Sequence, residues 1–283
     1  MKPRGAWPNL FVVGVARAGT TSLCHALGQH PDIFMSALKE PYFFSRFQME
    51  LDPFPKDEDR YLALFAEGGA TRWRGEASTA YFWDEGAPHK IKRSSPDSRI
   101  VISLRNPVKR AYSGYWFALE HGLERRSFSD VIESELARKH RDASEPPGHV
   151  EAGHYIEGLE RYLELFRDVH ILFFEELVAD PPTAISDLYR FLDVRPPAAE
   201  TLELPRENAS RVPRNPTFKW MLQSPPARGL RRAVPPSLLS PLGKLARVSR
   251  VPEMDPATRR LLEEVFAPER EPLERLLGRP LPW

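Results

Sequence analysis

Two glycines separated by four residues, Gly14 and Gly19, stand at the junction of an apolar run and an amphipathic one, and no other feature constrains this chain as much. Asn9-Leu-Phe-Val-Val-Gly14 reads as a short buried strand, Val15 to Ser22 as a glycine-bearing loop, and the stretch from there to Gln29 as a helix. In that context the spacing is that of a phosphate-binding loop, in which successive backbone N–H groups and the helix N-terminus cradle an anion. Thr20 follows the second glycine, where a nucleoside triphosphatase places its lysine, and the cation is Arg17, inside the loop.

The theme repeats downstream. Arg99-Ile-Val-Ile-Ser-Leu104 has a buried-strand pattern, and Arg105-Asn106-Pro107 opens a helix through Leu119, with Asn106 as N-cap and Pro107 at the first helical position. A third strand is expected over Val169 to Phe174, and Asp180-Pro181 starts a further helix ending near Asp193. Strands alternating with helices imply βαβ units, so the expected fold is α/β: a P-loop-like parallel sheet flanked by helices, in a single domain over residues 1–283, with ligands at the carboxyl ends of the strands. Arg105 stands at such an end, in the place of a triphosphatase's magnesium-binding aspartate, and Ser113 follows two turns into the helix, so that guanidinium and hydroxyl can share one phosphate.

Composition narrows the function classes. Forty Lys plus Arg against 39 Asp plus Glu give a net charge of +1, which argues against a chain-wide nucleic-acid surface. A lone cysteine, Cys24, excludes an internal disulfide, and the scattered histidines make no zinc spacing, so no metal is expected. Met1 to Asn9 holds no apolar run, and Leu10 to Val15 is too short for a signal core or a membrane span; a soluble cytoplasmic protein is expected. Residues 208–252 contain no acidic residue but nine basic ones, Arg211 to Arg250, together with prolines and apolar residues such as Trp220; this segment is expected to be a basic cap over the site.

Taken together these residues resemble the sulfotransferases that use 3′-phosphoadenosine 5′-phosphosulfate (PAPS) as donor. The resemblance covers most of the chain. Arg17 to Ser22 is similar to the family's 5′-phosphosulfate loop, with Arg17 where lysine is usual in many branches, and Arg105 with Ser113 to its 3′-phosphate site. Lys39-Glu40-Pro-Tyr-Phe-Phe44 resembles the segment that carries a catalytic glutamate in the carbohydrate (heparan-type) and bacterial branches. Gly75-Glu76-Ala-Ser78-Thr-Ala-Tyr81 resembles a further active-site segment, with Ala77 where some carbohydrate enzymes have lysine; Gly153 to Phe191 and Leu276 to Trp283 are also similar.

The resemblance implies PAPS as co-substrate, 3′-phosphoadenosine 5′-phosphate (PAP) as product, and a hydroxyl or amine of a small-molecule, glycolipid or carbohydrate acceptor. Arg17, Ala18, Gly19, Thr20, Thr21, Ser22, Arg105 and Ser113 would bind the donor. Transfer needs a base on the acceptor, in-line attack at sulfur and cations on the leaving phosphate. Glu40 is the expected base, Arg17 and then Lys39 the expected cations, and Glu76, Ser78, Tyr81 and His154 are expected to line the acceptor side, with His154 also the alternative base. A P-loop kinase or triphosphatase is the rival class, counted against by the missing lysine after Gly19, and a non-catalytic nucleotide-binding protein is the third reading. Oligomeric state is left open.

Overall fold

The computed structural model describes residues 7–46, 54–138, 142, 145–196, 212–213, 247–248 and 251–283. Its centre is β1 (Leu10–Gly14), in which every residue is buried. Side chains alternate across a strand, so Leu10 and Val12 enter one core and Phe11 and Val13 the other. That double burial explains why the strand reads as a continuous apolar run.

Around β1 the sheet runs β2 (Ile33–Met35), β3 (Trp73–Ala77), β1, β4 (Arg99–Leu104), β5 (Val169–Phe173), all parallel. The chain leaves β1 toward one edge to form β2 and β3, then returns past it to form β4 and β5. The strand order therefore reverses beside β1, and the crevice at the carboxyl ends of β1 and β4 is where such sheets bind ligands. The expected strands agree with β1, β4 and β5, the last ending one residue early at Phe173.

Helices cover both faces. α1 (Thr20–Gly28) and α8 (Pro181–Phe191) bring Leu23, Leu27, Ile185 and Leu188 onto Val12, Val101 and Leu172. α2 (Glu58–Ala63), α3 (Ala87–Ser94) and α6 (Ile156–Leu165) bring Tyr61, Ile91, Leu159 and Tyr162 onto the opposite face. α4 (Pro107–Glu120), α5 (Phe128–Ala137) and the long C-terminal helix, which we number α9 (Pro256–Leu277), share a third cluster around Ala111, Ile132 and Leu262. α7 (Phe174–Ala179) fills the interval after β5 that the sequence left unassigned.

The expected caps are present. Asn106 accepts from the Lys109 amide at α4, and Asp180 from the Thr183 amide at α8. Of the expected cap segment 208–252, β6 (Val212–Pro213) pairs antiparallel with β7 (Arg247–Val248) and residues 251–252 lead into the C-terminal helix; the rest lies outside the described residues. Among the described residues no helix is long and apolar enough to cross a membrane.

Candidate active site

The loop after β1 is tied to β4 before any ligand is considered. The Val15 amide donates to the Ser103 carbonyl at 2.8 Å, and the Ser103 hydroxyl donates to the Ala18 carbonyl at 2.5 Å. Arg17 (φ 70) and Gly19 (φ 79) turn the chain through left-handed conformations. α1 then begins at Thr20 with no side-chain cap, so the first-turn amides are presented to the loop mouth, an arrangement that suits an anion.

Arg105, at the end of β4, donates from Nη1 to the Arg17 carbonyl at 2.7 Å, with its guanidinium 4.5 Å from the Phe174 ring. Burial pushes its pKa down to about 10, with Glu175 opposing and Arg17 adding, so it is a cation at neutral pH. Its Nε is buried without a partner, an unmet donor in the place where a phosphate oxygen is expected. Arg17 Nε in turn donates to Ser113 Oγ at 3.0 Å. Burial lowers the Arg17 pKa too, with Glu120 opposing. The loop and the Arg105–Ser113 pair, read separately in the sequence, are thus one connected site. Phe117, one turn beyond Ser113 and not singled out in the sequence, has its ring 5.0 Å from the Arg17 guanidinium and is 39% exposed.

Glu40 sits beyond the carboxyl ends of β2 and β3. Its backbone is left-handed (φ 60), as is that of Tyr42 (φ 57), which is strained for residues with side chains. What holds Glu40 there is its own amide, donating to the Ala77 carbonyl at 2.8 Å, and its carboxylate, which accepts from the Thr79 amide at 2.7 Å, from Thr79 Oγ1 at 3.1 Å and from Lys39 Nζ at 2.7 Å. Thr79 Oγ1 also stands 3.2 Å from the second carboxylate oxygen, and the Tyr42 hydroxyl bonds to the same group. Both side chains are partly open, Lys39 at 31% and Glu40 at 20%. Thr79, which clasps Glu40, was not singled out in the sequence, since a contact across 39 positions leaves no local signal.

Glu76, Ser78 and Tyr81 are 1%, 0% and 0% exposed; Ser78 and Tyr81 each bond to Glu76 beneath the Glu40 loop, among the aromatic side chains of the main core. His154 Nδ1 meets Glu269 of α9 at 2.5 Å and its ring lies 5.2 Å from Phe266, so it braces the C-terminal helix. Cys24, partly buried in α1, packs against the α1–α8 core, and burial pushes its thiol up to about 12.

An α/β sheet whose central strand ends in a loop suited to an anion, with Arg17 from that loop and Arg105 from the end of the next strand converging there and a clasped carboxylate beyond the strands on its other side, defines the class: a P-loop-like domain. The sulfotransferase-domain model matches residues 8–225, and the chain belongs to the sulfotransferase family. It is 31% identical over 196 residues to human heparan sulfate glucosamine 3-O-sulfotransferase 6, covering 68% of this chain and 54% of that protein. It is 24% identical over 283 residues to the bifunctional heparan sulfate N-deacetylase/N-sulfotransferase 1 of Caenorhabditis elegans, covering 95% of this chain but 30% of that protein. The chain therefore spans about half or less of these curated relatives. The crystal structure of a sulfotransferase from Alicyclobacillus acidocaldarius superposes with a TM-score of 0.72 at 29% identity, covering 98% of both chains.

Proposed function

We propose that this chain moves a sulfuryl group from PAPS to a hydroxyl or amine of a small-molecule, glycolipid or carbohydrate acceptor. The observation that carries the reading is the junction of two anion half-sites, Arg17 to Ser113 at 3.0 Å and Arg105 to the Arg17 carbonyl at 2.7 Å, at the carboxyl edge of the sheet. The loop amides and Arg17 suit the 5′-phosphosulfate, and Arg105 with Ser113 the 3′-phosphate. The heparan sulfate names of the relatives favour an amino-sugar or sugar hydroxyl among the acceptor classes.

In this reading the acceptor oxygen or nitrogen attacks sulfur in line. Its proton passes to Glu40, the bond from sulfur to the bridging phosphate oxygen breaks, and PAP departs with the electron pair. Arg17 stabilises the charge that grows on the leaving oxygen, and Lys39 assists. Lys39 has a second task, since its ammonium group 2.7 Å from Glu40 keeps that carboxylate oriented.

Calorimetric titration with PAP in chelator, beside ATP with magnesium, tests the donor site. Metal-independent PAP binding that falls by about 100-fold or more in Arg105→Ala, the loss of one charged phosphate contact, is expected; magnesium-dependent ATP binding without PAP binding would overturn the reading in favour of phosphoryl transfer. Glu40→Gln should keep PAP affinity and lose transfer to a panel of an alkyl glucosaminide, a primary alcohol and a phenol by about 100-fold or more. Full turnover in that variant would remove Glu40 as base.

A further inference from the structure

Beneath the loop that carries Glu40 lies a fully buried carboxylate that the transfer steps above do not use. Glu76 in β3 is 1% exposed, and its hydrogen-bond partners are three hydroxyls, with Glu40 near it and no cation paired to it among the described residues. Burying an unpaired carboxylate is costly unless hydrogen bonds meet it. Here Tyr61 OH donates to Oε1 at 2.5 Å, Tyr81 OH to Oε1 at 3.0 Å and Ser78 Oγ to Oε2 at 2.8 Å.

Two of those hydroxyls are also acceptors, and what they accept are main-chain amides of the Glu40 loop. Tyr42 N donates to Ser78 Oγ at 3.1 Å and Phe44 N to Tyr81 OH at 3.2 Å. The third hydroxyl belongs to Tyr61, whose ring stacks on Phe43 at 4.1 Å. Three successive residues just after Glu40-Pro41 are thereby fixed from Glu76 at one remove.

We propose that Glu76 is the positioning residue of the transfer site: its ionised carboxylate turns the Ser78 and Tyr81 hydroxyls so that they receive the Tyr42 and Phe44 amides, and this holds Glu40 against Thr79 in the pose that takes the acceptor's proton. The proposal rests on Glu40 being the general base.

The chemistry of the hydrogens gives the charge its part. A carboxylate only accepts, so each hydroxyl points its hydrogen at Glu76 and leaves lone pairs for the amides. A proton on Oε2 is directed at Ser78, whose displaced hydrogen then faces the Tyr42 amide, and that contact turns from attractive to repulsive. Burial pushes the Glu76 carboxyl up to about 7, the three hydroxyls pulling down and Glu40 adding, so both charge states are reached near neutral pH. The other groups facing it are Tyr61 of α2, Tyr81, Tyr162 of α6, Cys24 of α1 and Glu40, while Lys39 is engaged by Glu40. Burial keeps the three tyrosines and the thiol protonated in that range.

The test compares wild type, Glu76→Gln, Ser78→Ala and Glu40→Gln by amide hydrogen exchange at Tyr42 and Phe44, by PAP titration, and by kcat and KM for whichever panel acceptor turns over, from about pH 6 to about pH 8, either side of the carboxyl's value. Glu76→Gln should keep its PAP affinity and acceptor KM while kcat falls about 10- to 100-fold, as expected of a displaced base. Exchange at the Tyr42 amide should rise about tenfold, the loss of one modest hydrogen bond, and the pH dependence of its protection should vanish. Ser78→Ala should free the same amide with Glu76 left in place, and it decides the matter if Glu76→Gln does not fold. Unchanged exchange and kcat, or PAP binding lost in step with kcat, would overturn the proposal. With Glu40→Gln inactive, that result removes the positioning role alone; a fully active Glu40→Gln removes the base and the positioning role with it.

Discussion

Glu76 opposes stability to function at a single residue. A carboxyl whose folded pKa is about 7 holds its proton more tightly folded than unfolded, where it titrates near 4.5. Its contribution to stability is therefore fully present below the unfolded value and is lost as pH rises through about 7. A gap of that size corresponds to about 3 kcal/mol. The ionised form, which the loop amides require, is the one the fold tolerates less. Glu76→Gln carries no such titration. Its unfolding free energy in urea, relative to wild type, should shift in its favour by about 3 kcal/mol between about pH 4.5 and about pH 8. Parallel curves for the two proteins would show that the carboxyl is not raised.

At the scale of the element, the loop between β1 and α1 depends on how closely the strand approaches its neighbours. A Cβ on Gly14 would stand 2.6 Å from Phe82 Cβ, and Phe82 is itself fixed, since a Cβ on Gly158 of α6 would meet its ring at the same 2.6 Å. Gly14→Ala therefore overfills a sealed contact, at about 1–3 kcal/mol. The urea midpoint should fall accordingly and PAP should bind more weakly, because the loop leaves β1 at this residue; an unchanged midpoint would mean that Phe82 yields freely. β1, β4 and β5 were legible because strands buried on both faces are written almost wholly in apolar residues. β3 was not, although it lies between β1 and β2, because Trp-Arg-Gly-Glu-Ala carries its buried carboxylate in the line of the strand and so has the composition of a surface. α9 was hidden for a different reason. Pro268 and Pro272 lie inside its 22 residues, and proline is the residue by which a sequence marks a helix end. In the site, the loop, Arg105 and Ser113 could be read from spacing, whereas Thr79 on Glu40 and Phe117 beside Arg17 arise from contacts between separate elements.

Over the whole molecule, the C-terminal helix closes the side of the sheet on which Arg105 emerges. Phe266 of α9 packs so tightly on Gly153 that a Cβ there would meet its ring at 2.5 Å, with Pro107 at 3.2 Å. Leu273 and Leu281 enter the main core, and Trp283 meets Phe173 edge-on at 5.1 Å. Arg279 reaches Glu176 of α7 at 3.2 Å and the Ile171 carbonyl at 2.9 Å. His154 to Glu269 is the pH-dependent part of this clamp, since the hydrogen bond that His154 donates to Glu269 raises its pKa, burial opposing. The sign is that of a cation gaining a partner: the pair stabilises fully below the unfolded histidine value of about 6.5 and its contribution is lost as pH rises through the raised one. With His154 41% and Glu269 26% exposed, solvent screening holds the effect to about 1 kcal/mol or less. His154→Asn should thus lower the urea midpoint slightly at about pH 6 and progressively less as pH rises, and acceptor turnover should stay within about threefold, far short of the loss of a base. A fall of about 100-fold or more in kcat with stability unchanged would reverse the assignment, making His154 the base and leaving Glu40 as the partner that orients Lys39.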